Sequence, residues 1–371
     1  MWKTSNFPSR IGIGGGGQLG TMMILESRGL PLSFNIYVES RDEPAVQIAT
    51  DVYDRDDFHS FVDSSDYVTF EFEHVRREML EYAQKNGKLR PGFRSVELKM
   101  ERHLEKEFLR DNSFPVGEFI IARNGEEALE KSRHYEKFVI KRSTGGYDGK
   151  GQYYYNNMND FPQNEDGYFV IEKYVDYESE ASIICGRDSQ GREIFYEPSY
   201  NENKNGILIR NATGIKEVET IERMKEIASS LMKKLDYIGI MGIEFFITED
   251  GPLINEYAPR VHNTGHHTLM GTSVSQFENH VRAVMGIPME DPVTYVPSGI
   301  VNVIGTDLSG EKMSKILGIG GTRIFMYRKK EIRRKRKMGH VCVTARDAEE
   351  LNKKEKIVEE ILYPEGVENY I

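Results

Sequence analysis

Two acidic residues, Glu244 and Glu256, lie in apolar, strand-patterned runs: Gly242-Ile243-Glu244-Phe245-Phe246-Ile247 and Leu253-Ile254-Asn255-Glu256. Thr248-Glu249-Asp250-Gly251 joins the runs, and an Asp-Gly pair between two strand patterns signals a hairpin. Such a hairpin brings the two carboxylates together, and neither run carries a base to pair with them. Buried like charges raise each other's pKa unless a cation lies between them. Mg²⁺ meets that need, because it takes hard oxygen ligands and usually a nucleotide phosphate as well. The hairpin therefore reads as a platform for Mg²⁺ and ATP. Phe245, Phe246 and Ile254 argue for burial, against the plainer reading of a surface hairpin with two solvated acids.

Four other stretches carry chemistry-bearing residues. Thr144-Gly145-Gly146-Tyr147-Asp148-Gly149-Lys150-Gly151-Gln152 follows the strand pattern Phe138-Val139-Ile140-Lys141 and precedes Tyr153-Tyr154-Tyr155. Glycines in a strand–loop–strand setting allow a flap whose amides close over phosphates, with Lys141 and Lys150 as point charges; a flexible hairpin tip is the simpler alternative. Gly12-Ile13-Gly14-Gly15-Gly16-Gly17-Gln18-Leu19-Gly20, with Glu39 at the end of the next strand, has the form of a dinucleotide fingerprint. Its amides would bind an anion at a helix N-terminus, although a tight strand-to-helix turn needs the same glycines. Ala258-Pro259-Arg260-Val261-His262-Asn263-Thr264-Gly265-His266-His267 suits oxyanions and lacks zinc-like spacing. The basic run Arg333–Lys337 enters a strand at His340-Val341-Cys342-Val343-Thr344, which favours a phosphate grip over a solvated loop.

These groups need a scaffold of several elements. At 371 residues two or three domains are expected, and the net charge of −10 argues against a general nucleic-acid binder. Two cysteines far apart, Cys185 and Cys342, make neither a metal cluster nor a disulfide framework. The first residues lack the apolar stretch of a signal peptide, and no run approaches the ~18 apolar residues of a membrane span; a reducing cytoplasm is the expected compartment. Residues 9–95 alternate strand and helix signals and predict a parallel α/β sheet, with strands at 34–39 and 67–73 and a helix over 18–28. A charged helix is expected over 96–110, an amphipathic one over 217–235 and another over 273–285, closed by Gly286-Ile287-Pro288. The last residues have a small-domain pattern.

In this order along the chain, GGGQLG at 15–20, FEFEHV at 70–75, KRSTGGYDGKGQ at 141–152, GIEFF at 242–246, NEYAPRVHNTGH at 255–266, SQFENHVRAVMG at 275–286 and RKMGH at 336–340 resemble the ATP-grasp superfamily. Within it they are most similar to the 5-(carboxyamino)imidazole ribonucleotide synthases of purine biosynthesis. The resemblance covers about Ile11 to Val343. It implies an ATP-grasp fold, mixed α/β and α+β, in three parts: an N-terminal α/β domain (1–97), an ATP-grasp domain (98–290, with a mobile flap subdomain at about 115–178) and a small β-rich C-terminal domain (291–371). It implies a homodimer, ATP and Mg²⁺ as cofactors, and bicarbonate and 5-aminoimidazole ribonucleotide as substrates, joined through carboxyphosphate. It places Arg102, Lys141, the flap residues Gly146, Tyr147, Asp148, Gly149, Lys150, Gly151 and Gln152, the stretch Glu172, Lys173, Tyr174 and Val175, Glu180, Asn203 and Asn255 on ATP, and Glu244 and Glu256 on Mg²⁺. Tyr147, Asp148, Lys150, Arg260, His262 and Lys337 match positions linked to the ribonucleotide and its carboxylation, with Gln18, Leu19, Glu71 and Glu73 on the N-terminal side. The chain departs from the pattern at Asn203, where a histidine is usual, at Asn205 (an acid), at Lys150 (commonly Arg) and at His267 (an aromatic).

The competing readings are another ATP-grasp ligase, such as a formate-using glycinamide ribonucleotide enzyme or a biotin carboxylase; a nicotinamide-dependent dehydrogenase built on the N-terminal glycines; and a non-catalytic binding protein. The dehydrogenase leaves the flap and the acidic hairpin unexplained.

Overall fold

The computed structural model describes residues 9–145 and 151–371. The N-terminal strands form a four-stranded parallel sheet in the order Asp51–Asp54, Ser33–Val38, Arg10–Gly14, Tyr67–Phe70. Ile11, Ile13, Ile36, Val68 and Phe70 are buried in it, as parallel strands covered on both faces require. The alternation through Glu73 predicts a longer last strand, but pairing ends where Gly14 meets Phe70. Glu71, Phe72 and Glu73 therefore leave the carboxyl end of the sheet as a loop, which is where open α/β sheets present ligands.

The central sheet is antiparallel along its main path, in the order Gly251–Ala258, Gly239–Thr248, Ser179–Arg187, Ser199–Lys204, Ile207–Thr213, Ser298–Ile304, Lys337–Thr344, Thr322–Met326, with Glu193–Phe195 added on Ser179–Arg187. The C-terminal strands thus extend the same sheet, and the basic run becomes a strand at Lys337. A third sheet, ordered Phe119–Asn124, Asp166–Lys173, Phe138–Arg142, Gln152–Tyr154, stands over the cleft. Met224, Ile227, Ala228, Leu231 and Met232 are the buried stripe of the helix Val218–Lys234; their three- and four-residue spacing is what one face of a helix presents.

Two features fix how the parts meet. The charged segment predicted as one helix is two, Phe93–Met100 and Arg102–Asp111, broken by the extended Glu101 at φ −131° and ψ 107°. The helix Gln276–Met285, capped by the Ser275 side chain and closed by the left-handed Gly286, packs Phe277, Val281 and Val284 into one core with Ile11, Ile13 and Met23 of the N-terminal unit. Its His280 is fully buried, and burial lowers its pKa to about 3, so the ring is neutral. The Ile240 amide donates to Nδ1 at 3.0 Å, which leaves the proton on Nε2, 2.8 Å from Thr69 Oγ1. His280 thereby ties the strand that leads into Glu71 and Glu73 to the strand that carries Glu244.

Where the C-terminal helix Ala348–Leu362 meets the central sheet, Glu355 is 1% exposed beside Arg210. Burial outweighs that arginine and pushes the carboxyl up to about 8. A folded-state pKa above the unfolded value means that stability present at acid pH is lost as pH rises from the unfolded carboxyl range through about 8. Glu355→Gln is therefore expected to match the parent near pH 4.5 and to exceed it above pH 8 by up to about 5 kcal/mol, because each tenfold change in proton affinity corresponds to about 1.4 kcal/mol. Urea unfolding at both pH values checks this.

Candidate active site

The acidic hairpin forms as the sequence predicts, and its register sets Glu244 directly opposite Glu256. Thr248 pairs with Gly251, so Glu249 and Asp250 are the two-residue turn; Gly251, at φ +111°, opens the return strand. The two acids are not equivalent. Burial, then the Glu256 and Glu180 charges, push Glu244 up to about 8. The Lys99 ammonium, ahead of burial's opposing effect and with Arg102 and Lys141 behind it, holds Glu256 well below the usual carboxylate range. Lys99 Nζ is 3.2 Å from Glu256 Oε2 and Arg102 Nη1 is 3.7 Å from the same oxygen. The bases absent from the hairpin itself come from either side of the Glu101 break. Glu244 faces His262 Nε2 at 3.7 Å, but burial and the neighbouring Arg260 lower that imidazole to about 3, so it stays neutral. Among the described residues no three His, Cys, Asp or Glu side chains make a metal cluster. Two hard oxygen donors, one short of positive charge, fit a cation that brings further oxygen ligands with it.

On the third-sheet side, Lys141 is 7% exposed and donates to Glu172 Oε2 at 2.6 Å. Although burial raises it, the Lys106, Lys141 and Arg102 charges bring Glu172 down to about 2. Lys106 Nζ sits 3.3 Å from Glu172 Oε1 and donates to the Asn255 carbonyl at 3.0 Å. Tyr174 and Val175 follow the end of the strand Asp166–Lys173. Tyr177 stacks on Phe246 at 4.7 Å and donates to Glu180 at 2.8 Å, while Asn203 donates to the other Glu180 oxygen. The asparagine thus keeps a polar contact where the resemblance leads one to expect a histidine.

On the opposite side, Arg260 Nε is 3.1 Å from Glu73 Oε1 and Nη2 donates to Oε2 at 3.2 Å. Burial raises Glu73, but Arg260 and Lys99 more than offset it and hold the carboxyl low. His262 pairs through Nδ1 with Thr264 Oγ1 at 2.9 Å. Lys337 is half-buried at the start of its strand, on the cleft wall with Glu244 and His262.

The N-terminal glycine loop does not behave as an open anion site. The Gly20 amide donates to Glu71 Oε2 at 2.8 Å, the Gly17 amide donates to Glu71 Oε1, and the Gly16 amide donates to Glu43 Oε2 at 2.8 Å. The anion that the sequence predicts at this helix N-terminus is therefore supplied by the protein's own carboxylates, which satisfy the exposed amides as a phosphate would. Gly15, at φ +102°, and Gly17 permit the approach: a Cβ on either would fall 2.5–2.6 Å from the Glu71 side chain. This arrangement removes the ground for a dinucleotide phosphate there.

One cleft of about 1260 Å³ gathers these groups. On its wall lie Gln18, Leu19, Glu71, Glu73, Arg102, Lys141, Gln152, Glu172, Lys173, Tyr174, Val175, Glu180, Asn203, Glu244, Asn255, Glu256, Arg260, His262 and Lys337. Gly151 is not on that wall, and Gly146, Tyr147, Asp148, Gly149 and Lys150 lie outside the described residues. Sequence reasoning missed Lys99, Glu105 and Lys106. No residue-type motif marks them, because a break without glycine or proline turns them toward the hairpin.

An N-terminal parallel α/β unit, a nucleotide-sized cleft under a separate sheet and a C-terminal strand feeding one lysine into that cleft together define an ATP-grasp protein. Residues 9–99 match the ribonucleotide synthetase preATP-grasp domain, 107–277 the ATP-grasp domain and 298–354 the phosphoribosylaminoimidazole carboxylase C-terminal domain. The N5-carboxyaminoimidazole ribonucleotide synthase of Saccharolobus solfataricus is 44% identical over 99% of this chain and all of its own. A crystal structure of the phosphoribosylaminoimidazole carboxylase ATPase subunit from Aquifex aeolicus superposes with a TM-score of 0.83 at 37% identity, covering 95% of this chain and 99% of that one. The carboxyaminoimidazole ribonucleotide synthase of Aspergillus clavatus, complexed with ATP, gives 0.89 at 25% identity over 96% and 99%. The chain belongs to the N5-carboxyaminoimidazole ribonucleotide synthase family.

Proposed function

We propose that the chain carboxylates the exocyclic amine of 5-aminoimidazole ribonucleotide, using ATP and bicarbonate and giving N5-carboxyaminoimidazole ribonucleotide, ADP and phosphate. The observation that carries this is the shared cleft: the Glu244/Glu256 pair and the Lys141–Glu172 pair face Glu73, Arg260, His262 and Lys337 across one enclosure. A phosphoryl donor and an amine acceptor then occupy the same cleft, so a labile carboxyphosphate formed there need not cross bulk water to reach the amine.

A bicarbonate oxygen attacks the γ-phosphorus, the bond to the β–γ bridging oxygen breaks and ADP leaves. Carboxyphosphate then releases phosphate, and the substrate amine bonds to the carbon and loses a proton. Phosphoryl transfer asks the protein mainly for positioning and charge neutralisation. Lys141 and Arg102 supply positive charge for the phosphates, and Glu172 holds Lys141 in place. Glu244 and Glu256 would hold Mg²⁺, which neutralises the phosphate oxygens when bound. Arg260 and Lys337 suit the anionic groups of the ribonucleotide, and the uncharged His262 suits a hydrogen bond without adding a second cation beside Arg260. The flap residues 146–152 would cover the phosphates. The division at 97/98 and 290/291, a homodimer and a cytoplasmic setting complete the reading; among the described residues no helix is long and apolar enough to cross a membrane.

The test is product formation from [¹³C]bicarbonate. With ATP and 5-aminoimidazole ribonucleotide present, a carbamate ¹³C signal is expected within minutes. Its absence, or its appearance without ATP, contradicts the proposal. A biotin carboxylase reading requires carboxylation of biotin instead, and a formate-using reading requires formate-dependent ADP release.

A further inference from the structure

Lys99 belongs to none of the motifs that define the family resemblance, yet it occupies the centre of the charge network. Its Nζ lies 2.9 and 3.1 Å from the two Glu105 oxygens and 3.2 Å from Glu256 Oε2. The side chain is 11% exposed and that of Glu105 1%. Glu105 Oε1 in turn accepts the Tyr257 amide at 3.2 Å, so the ion pair also grips the backbone next to Glu256. Arg102 approaches the same Glu256 oxygen from the next helix. Glu244, across the hairpin, lies 3.7 Å from His262 Nε2 and, among the described residues, has no lysine or arginine ion pair of the kind that Glu256 makes. Among the described residues, the close lysine and arginine contacts of the pair, Lys99 at 3.2 Å and Arg102 at 3.7 Å, thus both fall on Glu256.

We propose that Lys99 is a positioning residue that acts as the built-in counter-cation of the Glu244/Glu256 pair, so that a divalent cation binds there only when nucleotide phosphates arrive with it. This rests on the reading of those acids as the Mg²⁺ ligands. A half-buried pair of facing carboxylates with no cation would attract free Mg²⁺ or splay apart. Lys99 satisfies Glu256, pins it through Glu105, and repels a bare metal ion at close range. A nucleotide changes the balance, because its phosphates add negative charge and further oxygen ligands. The arrangement keeps free Mg²⁺ from seating without ATP, and it holds Glu256 in the rotamer that ATP-bound Mg²⁺ needs.

Calorimetric titration with Mg²⁺ alone, and with ADP in the presence and absence of Mg²⁺, tests this on the whole chain. The parent is expected to bind ADP at least tenfold more tightly with Mg²⁺ and to bind Mg²⁺ alone weakly. Lys99→Met is expected to bind Mg²⁺ alone at least tenfold more tightly than the parent, while its Mg²⁺-dependent gain in ADP affinity shrinks. Lys99→Arg, which keeps the charge, should retain the parent pattern. If Lys99→Met does not fold, Lys99→Met/Glu105→Gln removes both partners of the buried ion pair, leaves no unpaired buried carboxylate, and should show the same tighter Mg²⁺ binding. Unchanged Mg²⁺ affinity in the folded variant overturns the inference and leaves Lys99 a strut. Loss of the pattern in Lys99→Arg overturns it as well, since shape rather than charge would then be responsible. If ADP binding by the parent is indifferent to Mg²⁺, the metal reading itself fails, and the inference with it.

Discussion

Glu256→Gln is expected to lower kcat by on the order of 10²-fold or more while the protein stays folded. Glutamine keeps the volume and the strand, and Glu256 lies directly opposite Glu244 in a hairpin whose pairing does not depend on the side chain. What it removes is one negative charge from the site at which Lys99 and Arg102 converge. The proposed Mg²⁺ loses a charged ligand, and Lys99 and Arg102 each lose a carboxylate contact, although Lys99 keeps Glu105. The γ-phosphate then sits out of line, and a displacement of about 1 Å from reactive geometry can cost about 10²-fold. Steady-state kinetics across a Mg²⁺ series checks this: part of the loss should recover at high Mg²⁺. Near-parental turnover at ordinary Mg²⁺ would falsify the metal role. Glu244→Gln should lose a similar factor, without simple addition in the double variant, because the two acids act as one unit.

Lys337→Ala is expected to reduce kcat/KM for the ribonucleotide by about 10²-fold, with ATP affinity little changed. A charge-assisted contact to phosphate or carboxylate contributes about 1.5–3 kcal/mol, and each 1.4 kcal/mol is a factor of about ten. Lys337 is half-buried on the cleft wall, and its charge acts on both Glu244 and His262. Lys335, two residues earlier, is exposed and hydrogen-bonds through its backbone to Tyr370. Lys335→Ala is therefore the control and should stay within about 0.5 kcal/mol of the parent, as exposed substitutions usually do. Equal losses in both variants, or a loss confined to ATP affinity, would return the segment to a solvated basic loop.

The parts of the site that are legible in the sequence are those set by local pattern. Period-two alternation and an Asp-Gly turn are enough to bring Glu244 and Glu256 into one hairpin, but a regular ladder from Thr248–Gly251 would set Glu244 opposite Asn255; a register shift between Glu244 and Phe245, invisible in the pattern, puts Glu256 there instead. A strand entered from a basic run is enough to place Lys337. The glycine loop is half legible. Its glycines do make the predicted strand-to-helix turn, but the anion at the Gly17 and Gly20 amides is Glu71, more than fifty residues away, and no local signal reveals a carboxylate arriving from the loop after a neighbouring strand. Lys99 is illegible for the same reason: Glu256, the partner that brings it into the site, is 157 residues distant. The helix break at Glu101 that aims it carries neither glycine nor proline, so the segment reads as one charged helix. His280 shows the complementary case. Its helix is predicted, but its role in joining Thr69 to Ile240 depends on two contacts that exist only once the N-terminal sheet and the central sheet have met.

The most direct measurement is the initial rate of ADP formation with ATP and Mg²⁺, with bicarbonate and 5-aminoimidazole ribonucleotide each present or withheld. The shared cleft predicts rapid ADP release only when both are supplied, and one ADP for each carbamate formed. A rate indifferent to the ribonucleotide, or one satisfied equally by formate or biotin, would contradict it.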